Sequence, residues 1–237
     1  AFKQSQLLEN LARLGGVTPG QLLQPLTGPV WHYRRRARLG IKLVPRKGKV
    51  LVGFRERSSP YVADLHECHV LVEPVGALIT PLGQMVESLT IASRVPQAEV
   101  AVSDDIVALV LRVLDPPAPA DLERMAAFER EFSVRIYLQP GGPGTIAPLD
   151  PSRAPAPLSY GLPDHGISID FEPTDFVQIN GALNQAMIAR ALDVLEPQAG
   201  ATVLDLFCGL GNFSLPLARR TGQVVAVEGD LGLVQRA

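Results

Sequence analysis

One stretch limits the possible folds more than any other. Residues 203–207 form a short apolar run that ends in a Gly-x-Gly turn at Gly209 and Gly211, and a helical pattern opens directly after it over 212–220. A strand, a glycine turn and a helix N-terminus in that order make one βα unit of a parallel sheet, and nucleotide-like ligands bind at the carboxyl end of such a strand. Glycine lets the backbone approach a ligand because no Cβ intervenes. A second apolar run, 224–227, ends in Glu228. A carboxylate at the tip of the second strand is placed to accept hydrogen bonds from ribose hydroxyls.

Two rival phosphate-binding motifs fail on the residues present. A dinucleotide fingerprint needs glycine at 214, where Ser214 stands, and no Gly-Lys-Ser/Thr follows to make an ATP-cradling loop. An ordinary strand-to-helix turn explains a bare Gly-x-Gly just as well. The longer string Asp-Leu-Phe-Cys-Gly-Leu-Gly-Asn-Phe at 205–213 is much more specific.

With 237 residues, 46% of them hydrophobic, the chain can bury a core and is long enough for more than one domain. No run approaches a membrane span, and the opening residues lack a charged-then-apolar leader pattern. Two cysteines, Cys68 and Cys208, exclude a disulfide scaffold and fit a reducing compartment, so a cytoplasmic protein is expected. Both ends read as cut: there is no initial methionine, and the last helical pattern is only starting at Ala237. A doubly wound domain needs several parallel strands, and about two are supplied here. The expectation is a fragment of a longer enzyme, with an exposed apolar edge and marginal stability at its C-terminal end.

Along the chain, residues 1–25 read as one helix, a Gly15-Gly16 break and a loop. From 37 to 43 apolar and basic residues alternate as in a half-buried strand, and 50–54 return as its hairpin partner. Residues 75–92 suit an amphipathic helix with Leu78, Leu82, Met85, Val86 and Leu89 on one side. A hairpin over 100–113, a helix over 120–132 and a strand over 134–138 follow. The Pro- and Gly-rich stretch 139–166 reads as a surface loop or linker. Asn180 is placed to cap the next helix, which Pro197 and Gly200 close.

The net charge is −2, so any nucleic-acid signal has to be local. One is: Arg34, Arg35, Arg36, Arg38, Lys42, Arg46, Lys47, Lys49, Arg55 and Arg57 are 10 of the 22 Lys and Arg, and Glu56 alone opposes them in that interval. Such a face attracts a phosphate backbone by charge neutralisation. Trp31, His32 and Tyr33 just before it could stack on unpaired bases. The competing reading is a solvated strand face; the density of cations in an acidic chain favours RNA. His66, Cys68 and His69 lack the paired spacing of a zinc site, and Cys208, inside the glycine turn, reads as a small packed residue.

Taken together, Tyr-Arg-Arg-Arg-Ala-Arg-Leu at 33–39, Gly-Phe-Arg at 53–55, Asp-Phe-Val-Gln-Ile-Asn at 175–180, Asn184-Gln185-x-Met187 and the string at 204–213 make the whole chain resemble the RNA uracil-C5 methyltransferases, in particular their 23S rRNA-directed RlmD branch. The resemblance implies an α/β chain: an N-terminal helix and loop (1–28) packed on the methyltransferase domain, a central α+β RNA-binding domain (29–165), and the start of a Rossmann-like S-adenosylmethionine domain (166–237). It implies cofactor contacts from Gln178, Phe207, Asn212 and Glu228, with Gly209 and Gly211 shaping the loop. RNA contacts would come from Arg34, Arg35, Arg36, Arg38 and Lys42, with 23S rRNA as partner and no protein partner or membrane implied. In this branch four cysteines hold a [4Fe-4S] cluster; Cys68, in His-Glu-Cys-His, matches the fourth, and the other three would precede Ala1. His69 stands where the pattern often has proline.

The implied chemistry adds a cysteine thiolate to C6 of an unstacked uracil, methylates C5 and removes the C5 proton. That cysteine and base are expected beyond residue 237, so the chain alone is expected to be inactive, and Cys208 is not the nucleophile. Two alternatives stay open: a non-catalytic RNA-binding remnant, and a related enzyme acting on tRNA or on another rRNA uracil.

Overall fold

The computed structural model describes residues 2–152 and 157–237. A first helix, α1 (Phe2–Arg13), has no buried residue. The sheet that follows is built by strands β1 (Arg36–Val44), β2 (Lys49–Gly53), β3 (Gln97–Val102), β4 (Val107–Arg112), β5 (Val134–Gln139) and β6 (Ala147–Pro148), in the order β2-β1-β3-β4-β5-β6. All neighbours are antiparallel except β4 and β5. The parallel pair exists because α3 (Pro119–Phe132) crosses between them, as a parallel connection requires.

The alternation in β1 does what its sequence dictates. Ala37, Leu39 and Ile41 face a core shared with Ala98, Val100, Leu109, Leu111 and Ile136, covered by α2 (Ile79–Glu87) and α3 through Leu82, Met85, Val86, Met125 and Phe128. The helix expected over 75–92 is shorter, flanked by 3-10 turns at Val75–Leu78 and Ala92–Arg94, yet its five apolar positions are all buried.

Beyond the sheet, β7 (Leu158–Leu162) and β8 (Ile167–Phe171) form an antiparallel hairpin. Here the expectation of a surface loop or linker over 139–166 fails in part: residues 153–156 lie outside the described residues, but the stretch contains β6 and β7, and Leu158 and Leu162 are each 1% exposed. Proline and glycine density hid a strand whose two inward leucines sit four residues apart. The hairpin packs on the second face of the sheet, where Ala101, Ala108, Val110 and Tyr137 form one core with Leu158, Leu162, Ile169, Phe171, and Ile188 and Leu192 of α4 (Gly181–Leu195). Leu210 and Leu217 close the same core, so the sheet and the glycine motif share buried surface. Then come β9 (Thr202–Leu206), α5 (Ser214–Thr221), β10 (Gln223–Val227) and α6 (Leu231–Arg236). β9 and β10 are parallel with α5 between them, a βαβ unit opening a Rossmann-like arrangement. No helix among the described residues is long and apolar enough to cross a membrane.

Candidate functional site

The glycine turn begins where β9 ends. Phe207 adopts a left-handed conformation (φ 62°) with its side chain 88% exposed. A non-glycine residue held there stores strain of about 1–2 kcal/mol. Cys208 N–H donates to Val227 O at 3.1 Å, tying the turn to the tip of β10. Gly209 (φ 56°) faces open space, whereas a Cβ on Gly211 (φ 85°) would stand 2.9 Å from Leu215 Cγ. At the start of α5, Ser214 Oγ donates to Asp205 Oδ2 at 2.6 Å. Serine in place of the third fingerprint glycine therefore anchors the helix to the strand through a side chain.

Glu228 lies across the turn. Its carboxylate accepts from the N–H groups of Gly209 (2.9 Å), Gly229 (2.7 Å) and Asp230 (3.0 Å). Those amides, Asp230 and Gly209 foremost, hold its pKa below the ordinary glutamate value against a smaller opposing effect of burial. The group is ionised and its geometry fixed. Cys208 is pushed the other way, upward, by burial and then by the Asp205 and Glu228 carboxylates. A thiol so placed stays protonated and is a poor nucleophile.

Asn212 reaches away from the turn. Its amide pairs in both directions with that of the buried Asn184 on α4 (2.8 and 2.9 Å) and accepts from Tyr160 Oη at 3.2 Å. Burial raises the Tyr160 hydroxyl to about 12, so it remains a donor. The glycine turn is thereby locked to α4 and β7. Asn180 caps α4 as expected, accepting from Leu183 N–H at 3.0 Å. Gln178, two residues earlier, lines an open cleft of about 520 Å³ together with Arg35, Asp104, Tyr160, Asn184 and Gln185. Phe207, Gly209, Gly211 and Asn212 are gathered in the turn with Glu228 across it, whereas Gln178 lines the cleft, which none of these five lines and which meets the turn through Tyr160 and Asn184, the partners of Asn212. Tyr160 went unassigned in the sequence because its partner Asn212 is 52 residues away; Asn184 was visible only as part of a string.

The basic hairpin divides in two. Arg38, Lys42, Arg46, Arg55 and Arg57 are exposed, Lys42 lying 5.9 Å from the Tyr61 ring centre. Arg34, Arg35 and Arg36 are half-buried and engaged within the molecule: Arg34 5.7 Å from the Phe54 ring centre, Arg35 on Asp104 at 2.8 Å, Arg36 on Thr174 O at 2.6 Å. Lys47 and Lys49 both grip Asp64, lowering its pKa to about 2. Arg38 is bound at one end to Glu99 (2.8 Å) but its side chain is 70% exposed.

Cys68 is half-buried, its N–H donating to Gly76 O at 3.0 Å, between His66, Glu67 and His69. His69 pairs with Glu67 at 3.2 Å. Among the described residues no group of three or more His, Cys, Asp or Glu side chains is placed to hold a metal ion. A [4Fe-4S] cluster needs four thiolates, and these residues by themselves do not fit one. The N-terminal segment meets α4 through its loop: Gln24 O accepts from Arg190 Nη1 at 3.3 Å, and Leu26 lies beside Met187 and Ala191.

Residues 162–235 match the family model described as tRNA (Uracil-5-)-methyltransferase. The chain is 52% identical over 99% of its length to the 23S rRNA (uracil(1939)-C(5))-methyltransferase RlmD of Alkalilimnicola ehrlichii, covering 53% of that protein. It is 47% identical over its full length to the RlmD of Aromatoleum aromaticum, covering 54% of it. The chain thus spans about half the length of the curated relatives it matches. Among solved structures, Pyrococcus abyssi tRNA (uracil-54, C5)-methyltransferase, in complex with S-adenosyl-L-homocysteine, superposes with a TM-score of 0.64 over 88% of this chain and 52% of that one, at 18% identity. That likeness shows a shared fold.

Proposed function

From the chain's membership of the RNA uracil-C5 methyltransferase family, among its RlmD-type members, we propose that it serves S-adenosylmethionine-dependent methylation of C5 of a uracil in 23S rRNA. The observation that carries the cofactor reading is the pairing of an ionised, rigid Glu228 carboxylate with the open backbone at Gly209. Three amides occupy part of that carboxylate, two on Oε1 and one on Oε2, and the remaining acceptor site on Oε2 suits a ribose hydroxyl. Exposed Phe207 offers a ring face, Gln178 a polar group from the cleft that Tyr160 and Asn184 also line, and Gly209 and Gly211 the close approach. Asn212 acts by holding the turn on Asn184, its amide oxygen being taken by Asn184 and Tyr160, with any direct contact made through the second N–H of its amide. When bound, S-adenosylmethionine supplies an electrophilic methyl group.

Residues 29–165 are proposed as the RNA-facing domain and 166–237 as the first part of the cofactor domain, with 1–28 an appended helix and loop. Of the five arginines and lysines assigned to RNA, Arg38 and Lys42 present charge to solvent, and we assign the phosphate contacts to them first. The thiolate for uracil C6 and the base for its C5 proton are placed outside these 237 residues: Cys208, with its raised pKa, serves the turn. Cys68 is proposed as one of four cluster thiolates. A cytoplasmic location goes with an rRNA substrate and unpaired thiols.

The test is methyl transfer from labelled S-adenosylmethionine to unmodified 23S rRNA. The full-length protein is expected to label a uracil at C5 and the 237-residue chain alone to label none. Labelling of tRNA in preference to rRNA would overturn the substrate assignment; transfer by the short chain would overturn the placement of the catalytic groups.

A further inference from the structure

Between β8 and α4 the backbone from Glu172 to Asn180 forms no strand or helix, yet it carries Gln178. Irregular backbone holds position only through its partners, and here they come from the basic strand. Arg35 N–H donates to Ile179 O at 2.9 Å, and Arg36 Nη2 donates to Thr174 O at 2.6 Å. The Arg35 guanidinium lies over the first residue of α4, where a Cβ on Gly181 would stand 3.4 Å from Nε. Its far end binds Asp104 Oδ1 at 2.8 Å, and Asp104 Oδ2 accepts from Gly161 N–H at 2.8 Å. Arg36 is backed by Glu99 at 3.6 Å, with side-chain exposures of only 17% and 9%. From the other side Arg236 clamps Asp175 with contacts of 2.6 and 3.1 Å.

We propose that Arg35 and Arg36 are positioning residues for the cofactor, fixing the 172–181 segment and hence Gln178, rather than contacts to RNA. The inference rests on the assignment of Gln178 to S-adenosylmethionine. Stability alone does not account for Arg36: its Nη1 is buried with no hydrogen-bond partner among the described residues, a cost that an apolar pair in place of both Arg36 and Glu99 would avoid. What an apolar side chain cannot do is hold the Thr174 carbonyl. A small misplacement of a binding group is enough to weaken a site by about tenfold to a hundredfold.

The experiment compares Arg36→Met, Arg36→Lys and Arg38→Met in the full-length protein, reading S-adenosylmethionine affinity by calorimetry and rRNA affinity against salt. Arg36→Met is expected to weaken S-adenosylmethionine about tenfold or more and to leave the salt slope of RNA binding unchanged. Arg36→Lys, which keeps one donor, recovers part of the loss. Arg38→Met should do the reverse, lowering the salt slope by about one with cofactor affinity intact. The proposal is overturned if Arg36→Met, or a folded Arg36→Lys should the first variant misfold, leaves cofactor affinity at the parental value or reduces the RNA salt slope as Arg38→Met does. Failure of the parent itself to bind S-adenosylmethionine would instead sink the functional reading. Amide exchange over 174–180, expected to be faster in Arg36→Lys than in the parent, then still decides whether the strut exists.

Discussion

Phe207 and Gly211 share a left-handed backbone but differ in what a change would cost. Phe207 is 88% exposed at φ 62°, so Phe207→Gly removes little buried surface and relieves about 1 kcal/mol of strain, offset by the entropy glycine loses on folding. Stability in urea should stay within about 1 kcal/mol of the parent, while S-adenosylmethionine affinity drops by about tenfold through loss of the ring contact. Unchanged affinity would remove Phe207 from the site. Gly211→Ala is the opposite case: φ 85° and a 2.9 Å approach to Leu215 predict a destabilisation of about 1–2 kcal/mol, visible in the same urea titration without any ligand.

At the scale of elements, the buried Asp121 decides how α3 meets the sheet layer. It accepts from Thr90 N–H (2.8 Å), Thr90 Oγ1 (2.5 Å) and Ala118 N–H (3.1 Å), closing the first turn of α3 and stapling it to the turn that follows α2. Burial acts to raise its pKa, but the Thr90 and Ala118 bonds outweigh it and the net shift is downward. A depressed carboxylate stabilises the fold fully above its unfolded value of about 3.9 and loses that contribution as pH falls through the folded value. Asp121→Asn should cost about 1–3 kcal/mol at neutral pH, and the gap between variant and parent should close below about pH 4. A gap that stays constant from pH 7 to 3 would refute this account. α4 teaches a related lesson. Its cap at Asn180 was legible from a local pattern, whereas the buried Asn184 sits on the face that spacing alone would fill with apolar side chains, because its partner Asn212 is 28 residues away.

For the whole molecule, the βαβ unit leaves one face open. Leu204, Leu206, Val225 and Val227 are 58%, 56%, 46% and 48% exposed, an apolar band of alternating residues on two adjacent strands. The 237-residue chain should therefore bind a hydrophobic dye and self-associate as concentration rises; Leu204→Lys should reduce both without lowering its melting temperature by more than a few degrees. A chain that remains monomeric and dye-silent at all concentrations would show that this face is covered.

The local units were legible along the chain: the alternating β1, the strand–glycine turn–helix at 203–220 and the cap at Asn180. Each is written in residues close enough to interact along the chain, so periodicity and turn chemistry reveal them. Packing across the molecule settled that β7 is a strand, that Asn212 faces Asn184 and Tyr160, and that Arg34, Arg35 and Arg36 turn inward while Arg38 and Lys42 face water. Those outcomes depend on which carboxylate, carbonyl or ring the fold brings up from tens of residues away: Asp104 for Arg35, Glu99 and Thr174 for Arg36. A run of arginines reads the same whether its charges meet solvent or buried partners, and packing makes the distinction.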